Sequence, residues 1–261
     1  MEIILIKMHL NKKKITKIIY FIFHPIKLIN FLFYDQELEI KRNESLLSKL
    51  GCDIEKARSR LSKKGLEYKS KKLSWHYHFF AGLELDNYKI LEIGTYDGKF
   101  SNFLSKTFVN SEIFTLDLKS DDEKFINSYD RKDEKKRLEF ITTREKNLDR
   151  KNIRFFENDS VEICNLFKKN FFDIIWIDGD HHAPQVNLDI SNSIKLVKKN
   201  GIICCDDIIS QDYKDKKVSN ESYKYLEKLN KDKLIENFYF SKRINKNNNF
   251  LHKYISVSKI I

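Results

Sequence analysis

The stretch from residue 88 to 104, YKILEIGTYDGKFSNFL, constrains the fold more than any other part of the chain. Its apolar run at 90–93 has the length of a buried strand. Gly94 and Gly98 then mark a turn, after which apolar residues return at helical spacing. Because glycine lets the backbone turn tightly and a helix N-terminus offers free N–H groups, this strand–turn–helix unit is typical of a ligand-binding site.

The acidic residues of this turn limit what the ligand can be. Glu92 lies in the strand and Asp97 in the turn, and the third glycine of the dinucleotide-binding fingerprint is missing. Two carboxylates would repel a pyrophosphate but would suit a cationic ligand that lacks phosphate. The alternative is an ordinary tight turn between a strand and a helix.

Strands and helices alternate through the rest of the chain. Further strands are predicted at 112–118, 152–158, 171–179 and 201–207, helices at 161–169 and 185–199, a helix with an irregular surface excursion at 119–151, and a terminal pair of strands within 235–244 and 250–261. This order predicts an α/β fold with a doubly wound, mostly parallel sheet that ends in an antiparallel hairpin and follows an N-terminal helical extension.

Acidic residues lie at the carboxyl end of each predicted parallel strand. They are Glu92 and Asp97, Asp117, Asp159, Asp178 and Asp180, and Asp206 and Asp207. In open α/β sheets, ligands bind beyond these strand ends. One such acid can be a helix cap by chance, but an acid after every strand is better explained by one shared site.

Five segments of the sequence together resemble a known enzyme family. ILEIGTYDGKFSNFL, IFTLDL, IRFFENDS, FDIIWIDGDHH and NGIICCDDI are similar, in this order, to the five motifs of class I S-adenosylmethionine-dependent methyltransferases. The first turn resembles that of catechol O-methyltransferases, and DGD followed by a DD pair resembles the macrocin O-methyltransferase type. The resemblance spans residues 88–208 and implies a Rossmann-like methyltransferase fold, with residues 88–261 as the cofactor-binding catalytic domain.

The resemblance implies S-adenosylmethionine as the cofactor and indicates which residues contact it. Asp117 would accept hydrogen bonds from both ribose hydroxyls, and a strand-end cap is its alternative role. Asp159 and Ser160 would lie on the adenine side. The residues expected around the amino-acid end are those of the first turn, namely Glu92, Gly94, Tyr96, Asp97 and Gly98.

Asp178, Asp206 and Asp207 are predicted to bind a metal ion. They end two strands that would lie side by side, and hard cations such as Mg²⁺ prefer carboxylate oxygens. Without a cation, three crowded carboxylates would repel one another, which would raise their pKa values. This pattern is similar to that of metal-dependent O-methyltransferases and predicts magnesium as a second cofactor.

The predicted reaction is metal-assisted methylation of a hydroxyl group on a sugar or another small hydroxylated acceptor. The macrocin-type resemblance assigns the general base to Asp180, whereas His181 has the better intrinsic pKa for that role. Two rival functions stay open. One is an RNA methyltransferase, suggested only by the net charge of +11. The other is a non-catalytic, membrane-associated interaction protein. No RNA-binding module is recognisable, so no specific nucleic-acid partner is expected.

Residues 1–42 are predicted to form a basic amphipathic extension. Residues 1–34 hold six lysines against one glutamate, and residues 15–34 are nearly continuously apolar with a narrow polar stripe. A helix in the interface of the cytoplasmic membrane face fits this pattern. Packing against the catalytic domain or a dimer partner, and a signal anchor, are the alternatives. A lipid-linked glycan acceptor would suit such a peripheral membrane location.

Residues 43–87 are predicted to be a helical lead-in and lid. Asn43 or Ser45 would cap its first helix and Gly51 would end it. The aromatic cluster SWHYHFFAGL, residues 74–83, is expected to pack in the core, and a lid over the cofactor is the alternative. The four cysteines lack metal-finger spacing and indicate a reducing compartment. A cytoplasmic location is expected because the implied cofactor is made there. Whether identical chains associate is left open.

Overall fold

The computed structural model describes residues 25, 33–68, 70–84, 86–210, 219–244 and 252–261 of the chain. Within these ranges the helices are α1 (Gln36–Lys49), α2 (Ile54–Ser62), α3 (His76–Gly82), α4 (Lys99–Thr107), α5 (Glu123–Asn127), α6 (Glu134–Leu148), α7 (Ile163–Leu166), α8 (Gln185–Leu196) and α9 (Glu221–Lys231). The strands are β1 (Lys89–Ile93), β2 (Glu112–Asp117), β3 (Ile153–Glu157), β4 (Phe172–Ile177), β5 (Val197–Ile208), β6 (Ile235–Ser241) and β7 (Tyr254–Ile260).

The strands form one seven-stranded sheet in the order β3-β2-β1-β4-β5-β7-β6. Neighbours from β3 to β5 are parallel, whereas β7 runs antiparallel to both β5 and β6. The predicted fold class is therefore confirmed, including the terminal hairpin. The direction of the chain through the sheet reverses between β1 and β4, and such a switch point opens a crevice beyond the carboxyl ends of these strands.

Both faces of the sheet are covered, which explains the apolar strands. Ile90 and Trp176 belong to a core shared with helices α1 to α4, whereas Leu91 and Ile175 belong to a second core with α8 and α9. Because successive side chains of a strand point to opposite faces, a parallel strand between two helical layers must be apolar at almost every position.

The lead-in is part of the first of these cores. Asp35 caps α1, so this helix begins before the predicted boundary at residue 43, and Asn43 is not its cap. Asn43 is buried and bonds strand β6 instead, while Gly51 follows the end of the helix with a φ of 89°, as predicted. Trp75 and His78 are buried and stack with ring centroids 4.3 Å apart, which confirms the core role expected of this cluster.

The N-terminal extension falls largely outside the described residues. Residues 1–24 and 26–32, which carry most of the predicted membrane-interface helix, belong to this undescribed part. Among the described ranges, no helix combines the length and the apolar character that crossing a bilayer requires. Membrane contact and a lipid-linked acceptor stay predictions from the sequence.

Candidate active site

Gly94 brings the carboxyl ends of β1 and β4 together. Its φ is 95°, and a Cβ atom there would meet the carbonyl of Asp178 and, at 2.9 Å, the nitrogen of Gly179. The Asp178 nitrogen donates to the Ile93 oxygen at 2.8 Å, which fixes this close approach. Only glycine satisfies both the left-handed backbone and the close contact, so Gly94 lets the ends of β1 and β4 pack tightly against each other.

The rest of the turn leads into helix α4. Gly98 has a φ of 74° and occupies the N-cap position. Tyr96 also has a positive φ, of 50°, and its side chain is exposed. The Asp97 carboxylate accepts from the Lys99 nitrogen at 3.2 Å and pairs with the Lys99 ammonium at 2.5 Å. Positive φ at a non-glycine residue is uncommon and is found where the surrounding structure holds it in place, as at binding sites.

Glu92 lies beneath the turn rather than in the open crevice. Ser101 and Thr115 donate hydrogen bonds to its Oε2, the latter at 2.5 Å, and the Thr95 and Thr115 hydroxyl oxygens are 2.6 Å apart. Burial raises the pKa of this carboxyl to about 8, although both hydroxyl bonds oppose the rise. The side chain therefore ties β1, β2 and α4 together, and its predicted contact with the cofactor stays a prediction.

Replacing Glu92 by glutamine is expected to remove a pH dependence of stability. The carboxyl stays protonated in the folded chain up to a pKa of about 8 but ionises near 4.5 when unfolded. The contribution of Glu92 to the free energy of unfolding is therefore fully present below the pKa of the unfolded chain. It is lost as pH rises toward the pKa of the folded chain, by at most about 1.4 kcal/mol per pH unit. Urea unfolding of both proteins at about pH 5 and about pH 8 measures this. The wild type should lose a few kcal/mol more than Glu92→Gln, and parallel pH profiles would contradict the assignment.

Asp117 ends β2 opposite this turn. Its two carboxylate oxygens accept from the nitrogens of Tyr96 and Leu118, each at 2.8 Å. Burial raises the pKa of this carboxyl, while the two backbone bonds oppose the rise. Each carboxylate oxygen can accept more than one hydrogen bond, so both retain capacity for ribose hydroxyls. The residue thus fits its predicted role and also stabilises the turn.

The segment between β2 and β3 folds over the Asp117 side of the crevice. Arg131 is buried, with its guanidinium 3.8 Å from the Phe125 ring centroid, and Arg144 is buried on α6. The rings of Tyr129 and Tyr96 meet edge to face, 5.2 Å apart. The predicted helix with a surface excursion is therefore two helices joined by a turn, with Arg131 of the turn and Arg144 of α6 packed inward on aromatic rings. The sequence gives no sign of these contacts, because a segment so rich in charged residues is expected to lie on the surface.

Asp159 and Ser160 follow β3 and both have local partners. Asp159 caps a short 3₁₀ turn (Ser160–Glu162) by accepting from the Val161 nitrogen at 3.0 Å. The Ser160 hydroxyl donates to Asp189 Oδ1 at 2.7 Å and accepts from the Gln185 amide at 2.7 Å. Burial raises the pKa of Asp189 to about 6. These bonds fix the third strand end in place, and contact with adenine stays a prediction.

Asp178, Asp206 and Asp207 converge in the crevice as predicted, but two lysines meet them there. The Lys242 ammonium pairs with Asp206 and lies 2.5 Å from Asp207 Oδ1, and Lys253 lies 2.5 Å from Asp207 Oδ2. Neither lysine was predicted, because nothing in the local sequence of β6 or β7 connects them with acids on β5.

The charged groups of this cluster shift one another's pKa values. Burial and the charges of Asp206 and Asp207 raise the pKa of the Asp178 carboxyl, although Lys242 opposes them. Burial alone would raise the pKa of Asp207, but its ion pairs with both lysines lower it below the usual range. Burial likewise would lower the pKa of Lys242, and the nearby carboxylates outweigh it and raise the pKa. Lys242 therefore stays positively charged inside the protein.

This arrangement does not fit the predicted magnesium ion. Carboxylate oxygens suit Mg²⁺, which needs near-ideal octahedral geometry, but a lysine ammonium lies between two of the three acids. Among the residues that the structure describes, no three His, Cys, Asp or Glu side chains are placed to hold one metal ion.

The two candidate bases differ in their surroundings. His181 Nε2 lies 3.7 Å from Asp178 Oδ1 with 25% of its side chain exposed. Burial lowers the pKa of His181, and the charges of Asp207 and Asp206 oppose the drop. Asp180 is 58% exposed and bonds the nitrogen and ring of His182, each at 2.9 Å. His181 is therefore the less exposed of the two and faces an acid of the crevice, and the identity of the base stays a prediction.

Tyr77 is a further side chain that the sequence did not single out. It lies on α3, and its ring contacts Phe100 and Phe103 edge to face. Burial and the charges of Glu92 and Asp97 raise the pKa of its hydroxyl. The lead-in thus places one aromatic residue near the acids of the crevice.

Part of the chain matches a known protein family. Residues 91–208 match the family described as methyltransferase domain. This range holds the glycine turn, Asp117, the Asp178 strand end and both acids of β5. A comparison with curated protein sequences gives no match.

Several solved structures are similar to the chain at low sequence identity. A putative O-methyltransferase from Klebsiella pneumoniae is 11% identical, with 90% of this chain and 94% of that chain covered and a TM-score of 0.46. A putative caffeoyl-CoA O-methyltransferase from Staphylococcus aureus is 16% identical, with 67% and 76% covered and a TM-score of 0.44. An rRNA methylase from Streptococcus thermophilus is 8% identical, with 68% and 89% covered and a TM-score of 0.45. Nothing about the methyl acceptor follows from these similarities.

The acceptor capacity that Asp117 retains at the end of β2 fits a cofactor that carries ribose hydroxyls. Over residues 91–208, a little less than half of its length, the chain is similar to the methyltransferase domain family.

Proposed function

We propose that the chain is an O-methyltransferase that acts on a hydroxyl group of a sugar or another small hydroxylated acceptor. The position of His181 carries this proposal, because its Nε2 faces Asp178, whose backbone lies against Gly94. A partly buried, neutral imidazole near a bound hydroxyl can take its proton. A base at this point is what O-methylation needs, since a hydroxyl oxygen is a weak nucleophile until it loses its proton.

A few side chains each have a separate role in the proposed reaction. When bound, the cofactor supplies a methyl group on a positively charged sulfur. Asp117 holds the ribose, and Gly94 allows the close approach of β1 and β4 that shapes this strand end. His181 accepts the hydroxyl proton at Nε2 as the acceptor oxygen bonds to the methyl carbon and the carbon–sulfur bond breaks. Asp178, whose Oδ1 lies 3.7 Å from the same nitrogen, stabilises the imidazolium that forms through its charge.

Replacing His181 by asparagine is expected to stop methyl transfer without weakening cofactor binding. The assay incubates cell extract with methyl-labelled S-adenosylmethionine and the wild-type protein. The label on the acceptor should resist conditions that cleave methyl esters, because the methyl group is bound as an ether. His181→Asn should lower the labelling rate by about 100-fold or more. The matched variant Asp180→Asn should stay within a few-fold of wild type, because Asp180 is exposed and contacts His182.

The two variants separate the competing assignments. Loss of labelling in Asp180→Asn with activity kept in His181→Asn would move the base to Asp180, as the macrocin-type resemblance implies. A label found on nitrogen or carbon of the acceptor would contradict O-methylation itself.

A further inference from the structure

Lys242 lies where the crevice is most acidic. It is the first residue after strand β6, and only 8% of its side chain is exposed. Its ammonium pairs with Asp206, which is itself 2% exposed, and with Asp207 at 2.5 Å. Lysine is almost never fully buried unless it is paired, and here two carboxylates provide that pairing.

The backbone of strand β5 is shaped so that one ammonium can reach both acids. Side chains of adjacent strand residues normally point to opposite faces of a sheet. Here the pairing of β5 with β7 shifts register between Cys205 and Ile208, and Asp207 has a φ of 51°. This bulge turns Asp207 toward the side on which Asp206 meets Lys242, at the cost of a backbone conformation that aspartate rarely adopts.

The position of Lys242 is fixed from three sides. Its nitrogen donates to the Lys253 oxygen at 2.9 Å, and its oxygen accepts from the Trp75 nitrogen at 2.8 Å. The preceding residue, Ser241, exchanges two backbone hydrogen bonds with the Asn43 amide, at 2.9 and 3.0 Å. The lead-in, β6 and β7 therefore all hold this lysine in place.

A divalent cation would have to displace this ammonium. Mg²⁺ binds carboxylate oxygens at about 2.0 to 2.1 Å, and the ammonium already occupies the space between Asp206 and Asp207. If lysine stayed, two cations would lie within a few ångströms of each other. If it left, the paired and anchored side chain would lose both carboxylate partners.

We propose that Lys242 is the built-in cation of this crevice, and that it takes the place between Asp206 and Asp207 from which a divalent metal ion is thereby excluded. Resting on the proposed O-methyltransferase function, this makes Lys242 a positioning residue, which holds the two acids of β5 together beside the reacting groups without a metal. The occupancy of the site by an ammonium is independent of which acceptor is methylated.

Binding of Mn²⁺ to the full-length protein tests this proposal without any methyl acceptor. Electron paramagnetic resonance measures free Mn²⁺, which stands in for Mg²⁺ as another hard divalent ion. The wild type should leave Mn²⁺ unbound at equimolar concentration. Lys242→Gln should bind one ion at least about 100-fold more tightly, because the variant removes a positive charge next to three acids. Lys253→Gln is the matched control and should behave as the wild type, since Lys242 is intact.

Three outcomes would overturn the proposal. One is tight binding of Mn²⁺ by the wild type that is lost in Asp206→Asn. Another is a folded Lys242→Gln that binds no better than wild type. If Lys242→Gln is unfolded alone, Mn²⁺ must restore its cooperative melting, and failure to do so is the third. Absence of any methylated acceptor would instead count against the proposed function, because the Mn²⁺ result does not depend on turnover.

Discussion

Replacing Gly94 by alanine will abolish binding of S-adenosylmethionine and will lower the free energy of unfolding by roughly 2 to 5 kcal/mol. The added methyl group meets backbone atoms of Asp178 and Gly179, which have no flexible end that could move aside. The left-handed φ of 95° adds strain for any residue with a Cβ atom. Urea unfolding and titration calorimetry with the cofactor measure the two effects.

Gly65 provides the matched control for this variant. It also has a positive φ, of 71°, but nothing lies within 4 Å of the place where its Cβ would be. Gly65→Ala should therefore lose only the backbone term of about 1 to 2 kcal/mol, with cofactor affinity unchanged. Equal losses at Gly94 and Gly65, or normal cofactor binding by Gly94→Ala, would show that the close approach of β1 and β4 is not needed.

Replacing Lys242 by glutamine will destabilise the fold by about 3 to 5 kcal/mol in metal-free buffer, because it leaves the buried Asp206 carboxylate without a cationic partner. Asp206, which is 2% exposed, then lacks the ammonium that pairs with it, while Asp207 keeps Lys253. Lys253→Gln should lose no more than about 1 kcal/mol, because Lys253 is 33% exposed and an exposed ion pair contributes little.

Chemical denaturation of the two variants in chelator measures this difference. A similar small loss in both would mean that Lys242 is solvated like an ordinary surface lysine. A large loss in both would mean that the two lysines share the burden of neutralising Asp207, whose oxygens they divide between them.

The sheet could be predicted because its signals are local. An apolar run such as residues 90–93 must be buried on both faces, and only a parallel sheet between helical layers offers that. The strand-end acids could be predicted to converge for the same reason, since parallel strands bring their carboxyl ends to one edge. In the structure Asp178, Asp206 and Asp207 do lie close together at this edge of the sheet.

The partners of those acids could not be predicted, because they come from distant parts of the chain. Lys242 is 36 residues from Asp206 in the sequence. Asn43 anchors Ser241, which adjoins Lys242, and is 198 residues from Ser241. In the sequence both are ordinary polar residues at the ends of apolar patterns. A strand-end acid such as Glu92 also gives no local sign of whether it points into the crevice or beneath it.

Titration calorimetry of S-adenosylmethionine into the full-length protein is the most direct test of the function inferred here. The wild type should bind one cofactor molecule, and S-adenosylhomocysteine should compete for the same site. Asp117→Asn keeps the shape of the side chain but loses the charge that the ribose hydroxyls would contact, so it should bind roughly 10- to 100-fold more weakly. The absence of binding heat and of competition for the wild type, or an Asp117→Asn affinity equal to that of the wild type, would contradict a cofactor site at the carboxyl ends of these strands.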